Sequence, residues 1–76
     1  MSVKIYTTPS CVYCRMVKEY FKKNSVAYEE KDVQNDLEAR EEMIEKSHQM
    51  GVPVIDIGGR IVVGFNRLEI DQALGL

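Results

Sequence analysis

The stretch Thr7-Thr8-Pro9-Ser10-Cys11-Val12-Tyr13-Cys14 holds both cysteines of the chain, two residues apart. An apolar run, Val3-Lys4-Ile5-Tyr6, precedes it, and a helical pattern begins at Cys11 and runs to about Asn24. Cys11 is therefore expected where a strand gives way to a helix N-terminus, with Cys14 one turn further in. Unpaired N–H groups and a partial positive charge gather at such a terminus, and both favour an anion. A thiolate is an anion. In such settings cysteine pKa values fall to about 3.5–7.5, against about 8.5 for a free thiol. The pattern predicts Cys11 as an accessible nucleophile, largely ionised at neutral pH. It predicts Cys14 as a shielded thiol that resolves the mixed disulfide Cys11 forms.

A single C-x-x-C has three other readings. A closed zinc site needs four ligands, and the chain offers one histidine, His48, and no second cysteine pair. Zinc within one chain is not expected, and no metal ligands are assigned. A dimeric metal or iron–sulfur carrier, two chains sharing a site through Cys11, stays open. A disulfide closing so short a loop stabilises little compared with one closing a long loop. Cysteine is often buried and inert, but the strand-then-helix setting argues against that here. C-x-x-C beside a βαβ pattern reads as a thioredoxin-like redox motif.

Seventy-six residues suggest a single domain over 1–76, with a core of marginal size. A hydrophobic fraction of 45% argues against disorder. The formal net charge is −2, and no basic stripe with interleaved aromatics is present, so nucleic acid is not an expected partner. Met1-Ser2-Val3-Lys4 lacks the charged region and long apolar stretch of a secretory leader. No apolar run approaches membrane-spanning length, so no membrane association is expected. A cytoplasmic location is expected, where thiols are kept reduced and a cysteine pair is more often catalytic or metal-binding than structural.

Residues 2–7 read as a strand, broken by Pro9 and Ser10. In the helix that follows, Tyr13, Met16, Val17, Tyr20 and Phe21 form one apolar face. Lys18, Lys22 and Lys23 belong to a solvated face. Arg15 stands apart: one residue past Cys14, it is placed to add positive potential around the thiolate or to meet an acidic group of a substrate. Val26-Ala27-Tyr28 opens a second strand that fades by Val33, parallel to the first in a right-handed βαβ unit. Asn35 or Asp36 caps a second helix running to about Ser47, with Glu38 in capping-box spacing from Asn35. Its apolar stripe is Leu37, Met43 and Ile44, with Ala39 at the margin. Glu38, Glu41, Glu42 and Glu45 read as exposed helix charges, Glu42 pairing with Lys46. His48 reads as a surface residue near the helix end. Gly51 is expected to supply the left-handed residue after the helix. Val52 to Ile57 reads as a strand opened by Pro53, Gly58-Gly59 as a hairpin turn, and Ile61-Val62-Val63 as the return strand. Asn66 caps a last short helix with Glu69 in box position, burying Ile70, Ala73 and Leu74 and stopping at Gly75. The order βαβαββα predicts an α/β fold, a four-stranded mixed sheet with helices on both faces.

Over essentially its whole length the sequence resembles the glutaredoxin family, within the thioredoxin-like fold. The resemblance rests on Ile5-Tyr6-Thr7 leading into Cys11-Val12-Tyr13-Cys14, on Val52-Pro53-Val54, and on Gly64-Phe65 before the last helix. It implies that Pro53 is cis and faces the active cysteine, and that the backbone of Val52 pairs with an extended substrate. It implies a groove around the sulfur built from Tyr13, Val52, Pro53 and Phe65. Glutathione-using members usually carry a Lys or Arg shortly before the first cysteine; here that position is Thr8. They also tend to open the last helix with a Gly-Gly-x-Asp-Asp type segment; here the residues are Val63-Gly64-Phe65-Asn66-Arg67. An amide and a base replace the acidic pair that would hold the ammonium of glutathione. Val12 and Gly64-Phe65 look instead like the small redoxins that take electrons from thioredoxin reductase and reduce ribonucleotide reductase. Tyr13 is the residue glutaredoxins favour.

The resemblance thus implies a dithiol thiol–disulfide oxidoreductase acting on disulfide-containing proteins or mixed disulfides through Cys11 and Cys14. No resident cofactor is expected; glutathione or thioredoxin reductase would serve as reductant. A monomer is expected.

Overall fold

The computed structural model describes residues 2–76 of the chain. Its centre is the apolar run before the cysteines. Strand β1, Val3–Thr7, pairs in parallel with β2, Glu29–Asp32, and antiparallel with β3, Val54–Ile57. Strand β4, Arg60–Val63, returns antiparallel along β3, which sets the sheet order β2-β1-β3-β4. Gly58 and Gly59 turn the hairpin with φ of 58° and 97°, a backbone that residues with a Cβ rarely adopt.

The period of two along each strand sorts the side chains. Val3, Ile5, Ile55, Ile57 and Val62 bury against Val17 and Phe21 of helix α1, Val12–Lys23, and against Ile70 of helix α3, Arg67–Leu74. Tyr6 and Val54 point the other way, with Val33, onto Ala39 and Met43 of helix α2, Leu37–Ser47. Each large apolar side chain so buried contributes about 1.5–3 kcal/mol. The expected βαβαββα order, mixed four-stranded sheet and helices on both faces are present. No described helix is long and apolar enough to cross a membrane.

Several boundaries differ from the sequence expectation. The second strand begins at Glu29 rather than Val26. Ser25 takes φ 57° and the Val26 N–H bonds to the carbonyl of Phe21 at 2.8 Å, a left-handed closure of α1 that uses the backbone a strand would need. Val26 and Tyr28 still pack against the core, which is why they read as strand residues. The third strand begins at Val54, after the cis Val52–Pro53 peptide, since proline has no N–H for a ladder.

The buried stripe of α1 is Cys14, Val17 and Phe21, with Tyr20 half-buried, while Tyr13 is 62% exposed and Met16 is 40% exposed. The i, i+3, i+7 stripe that seats Cys14 turns Tyr13 about 100° away from the core. In α2 the buried residues are Ala39 and Met43; Leu37, in the first turn, is exposed. Asp36, not Asn35, caps α2, its carboxylate accepting the Ala39 N–H at 3.1 Å, so Glu38 forms no capping box. The left-handed residue after α2 is His48 at φ 58°, not Gly51.

Candidate active site

The loop between β1 and α1 is short and tied. The Cys11 N–H bonds to the Thr8 carbonyl at 3.3 Å, closing a turn across Pro9 and Ser10. This places Cys11 as the N-cap of α1 in an extended conformation, φ −85° and ψ 113°. Its Sγ accepts the Cys14 backbone N–H at 3.1 Å, the role a serine or aspartate oxygen plays at an ordinary N-cap. Cys11 and Cys14 are joined as a disulfide, with Cα atoms 5.2 Å apart. Cys11 is half-buried and Cys14 is 1% exposed. The first turn of α1 contains no acidic residue, and Arg15 is exposed beside it.

Strand register gathers the other candidates at the same end of the sheet. Tyr6 lies opposite Val54, so one further step sets Pro53 opposite Thr7, where the cysteine loop departs. The Pro53 carbonyl accepts the Gly64 N–H at 2.8 Å. Gly64 has φ 80°, which turns the chain from β4 toward α3. Pro53 is buried, Val52 and Thr8 are half-buried, and Val12 and Tyr13 face solvent.

Phe65 meets the ring of Tyr20 edge-on, centroids 6.0 Å apart. Asn66 caps α3: its Oδ1 accepts the Glu69 N–H at 3.2 Å and its Nδ2 donates to the Glu69 carboxylate at 3.2 Å. The Asn66 side chain is thus engaged within its own helix. The Arg67 guanidinium lies over the Tyr20 ring, 4.8 Å from its centroid. The Tyr20 hydroxyl donates to Asp71. The sequence marks Tyr20 only as part of an apolar helix face and gives Asp71 no signal. The partners of Tyr20 on α3 lie far along the chain.

On the opposite face, Glu42 and Lys46 do form the expected ion pair, but as part of a larger network. Glu42 accepts from the Tyr6 hydroxyl at 2.5 Å, from Lys46 at 3.0 Å and from Lys4 at 3.2 Å. Lys46 also donates to Asp56 at 2.7 Å and to the Tyr6 oxygen at 3.0 Å. Hydrogen bonds from Tyr6, Lys46 and Lys4 pull the Glu42 carboxyl down to about 2. Burial, with the Glu42 bond, pushes the Tyr6 phenol up to about 12. Below the cysteine loop, the buried Thr7 hydroxyl donates to Glu30, which also pairs with Lys18 at 2.9 Å. The Lys18 hydrogen bond holds Glu30 below its usual range. A cavity of about 360 Å³ lies beside α2, lined by Lys31, Asp36, Glu38, Ala39, Glu41, Glu42 and Glu45. Neither cysteine borders it.

The chemistry available at the cysteine end is sulfur chemistry. A half-buried cysteine caps the helix, and a second, buried cysteine is bonded to it. That pair can cycle between dithiol and disulfide.

The family model described as Glutaredoxin matches residues 3–62. The chain is 47% identical over 72 residues to an uncharacterized glutaredoxin-like 8.6 kDa protein in the rubredoxin operon of Clostridium pasteurianum, covering 95% of this chain and 96% of that one. It is 32% identical to glutaredoxin 3 of Escherichia coli K12, covering 97% and 89%. Among solved structures, the thioredoxin-like protein BC3987 superposes with a TM-score of 0.89 at 38% identity, covering 95% and 99%. The glutaredoxin-like NrdH-redoxin from Escherichia coli, described by its thioredoxin-like activity profile, gives 0.85 at 26% identity, covering 95% and 93%. A matched pattern that begins in β1, spans the cysteine pair at the head of α1 and ends in β4 shows that this chain belongs to the glutaredoxin family.

Proposed function

We propose that the protein is a dithiol thiol–disulfide oxidoreductase that reduces disulfide-containing proteins in the cytoplasm as a monomer. The observation that carries this reading is the N-cap placement of Cys11, its sulfur receiving the Cys14 N–H while the Cys14 side chain stays buried. The Cys11 thiolate attacks one sulfur of a substrate disulfide; the substrate S–S bond breaks and one substrate thiolate leaves. Cys14, losing its proton, then attacks Cys11 Sγ in the mixed disulfide. The second substrate thiolate leaves, and the Cys11–Cys14 disulfide remains. The substrate has gained two electrons and the cysteine pair has lost them. Val52, Pro53, Tyr13 and Phe65 border the path by which an extended substrate reaches the sulfur, with Thr8 at its start. The sulfurs carry the electrons, so the cycle needs an external reductant and no resident cofactor.

A flavoprotein thioredoxin reductase is the donor favoured at the start of α3. Asn66 is occupied with its own cap, and Arg67 is a cation where the ammonium of glutathione would need a carboxylate. The likeness to NrdH-redoxin supports the same donor, with ribonucleotide reductase as a substrate. The likeness to glutaredoxin 3 supports glutathione. Turnover of a protein disulfide with NADPH, supplied either by thioredoxin reductase alone or by glutathione with glutathione reductase, tests both levels. Activity with thioredoxin reductase is expected. Activity with glutathione alone would overturn the donor assignment. Equal rates for wild type and Cys11→Ser under both supplies would overturn the oxidoreductase reading.

A further inference from the structure

Arg67 occupies the first position of α3, where the helix's own partial positive charge disfavours a cation. Its side chain lies over Tyr20, the guanidinium carbon 4.8 Å from the ring centroid. The ring is itself held from two sides, by the edge of Phe65 at 6.0 Å and by the hydroxyl bond to Asp71. A guanidinium stacked on one face keeps its N–H edge free for a planar bidentate acceptor. Two carboxylates lie within one turn on α3, and both are engaged: Asp71 by Tyr20, and Glu69 by the Asn66 amide. Arg67 takes part in none of the ion pairs formed among the described residues. It is an exposed cation, held over Tyr20, that forms no ion pair of its own with the Glu69 and Asp71 carboxylates.

Its position relates it to the reactive sulfur. Tyr20 follows Cys11 by nine residues, about 13 Å along a helix axis. Helical side chains lean toward the N-terminus, which brings the ring part of the way back toward the cysteine. An extended polypeptide advances about 3.3 Å per residue, so that span corresponds to three or four residues of a bound strand. Between the two ends α1 exposes Val12, Tyr13 and Met16, an apolar path. We propose that Arg67, held on Tyr20, is a carboxylate receptor that selects protein disulfides carrying an aspartate or glutamate three or four residues from the reactive cysteine. Tyr20 is the positioning residue. The inference rests on the thiol–disulfide reading.

The test uses peptides whose single cysteine is joined to 2-nitro-5-thiobenzoate, with Glu or Gln at each position up to six residues from the cysteine. The reduced Cys14→Ser protein attacks the peptide sulfur through Cys11, and the coloured thiolate leaves, one per bond formed. The readout is the ratio of second-order rates for Glu and Gln peptides. At low salt a ratio of about five is expected at positions three or four, the size of a well-formed exposed ion pair. It should fall to about one in Arg67→Gln, and on added salt at several tenths molar. Tyr20→Leu should lower it, and Tyr20→Phe, which keeps the face of the ring, should restore most of it. A ratio near one in the Cys14→Ser protein, the same ratio at every position, or a ratio unchanged by Arg67→Gln would overturn the receptor. Release of no coloured thiolate from any peptide would instead overturn the oxidoreductase reading on which it rests.

Discussion

The Cys14 backbone N–H points at Cys11 Sγ from 3.1 Å, so one sulfur of the pair caps the helix that buries the other. The two cysteines therefore differ in access before any chemistry begins: Cys11 is half-buried at the rim, and Cys14 is 1% exposed. In the reduced native protein iodoacetamide should alkylate Cys11 faster than Cys14 by at least about tenfold. Peptide mapping by mass spectrometry after brief labelling measures the ratio, and equal labelling would contradict the assignment of roles.

Acid should weaken the α2 face. The Glu42 carboxyl lies at about 2 against an ordinary 4.5, so its folded-state value is depressed. Such a group adds stability that is full above 4.5 and is lost as pH falls from there toward 2. The Glu42 side chain is 38% exposed, and solvent screening reduces the effect to about 1 kcal/mol. Urea unfolding at pH 7 and pH 3 should show a loss in the wild type that Glu42→Gln largely lacks, the variant starting lower at pH 7.

Tyr6 tests the same network from the sheet. Its hydroxyl donates to Glu42 and accepts from Lys46. Tyr6→Phe keeps the buried ring and removes both bonds, at a cost of about 2 kcal/mol. The wild-type phenol, raised to about 12, adds stability that is present below pH 10 and lost as pH rises toward 12. Unfolding midpoints in urea between pH 7 and pH 11 should fall in the wild type and change less in Tyr6→Phe.

Gly64 carries the turn into α3 at φ 80°, and a Cβ there would meet no atom within 4 Å. The cost of Gly64→Ala is therefore backbone alone, about 1–2 kcal/mol. Because the Gly64 N–H holds the Pro53 carbonyl at 2.8 Å, relaxation of this turn moves Phe65 as well. Thermal unfolding should show the loss, and KM for a protein disulfide should rise with it. An unchanged melting temperature would contradict the account of the turn.

The sequence was most informative where a cause is local. The cysteine pair, the glycine hairpin, the Asn66 cap and the period of two in β1 each rest on neighbours a few residues away. The helix faces were less legible. An apolar moment locates a stripe within a turn, but the seat of Cys14 decided that Tyr13 and Met16 face solvent. The polar networks were illegible for a further reason. Tyr6 and Glu42 are 36 residues apart, and Tyr20 and Asp71 are 51 apart. Contacts closed by the fold leave no periodic mark on either segment. Glu42 looked like any helix carboxylate, and Tyr20 like any core aromatic.

The central claim is that Cys11 attacks and Cys14 resolves, and trapping tests it most directly. The Cys14→Ser protein, mixed with a disulfide-bonded protein substrate and quenched with acid, should accumulate a stable mixed disulfide. Mass spectrometry should map that bond to Cys11, while the wild type under the same conditions should pass on to its internal disulfide. An adduct that forms on Cys14 in Cys11→Ser as fast as on Cys11 in Cys14→Ser, or no adduct in either, would contradict the account.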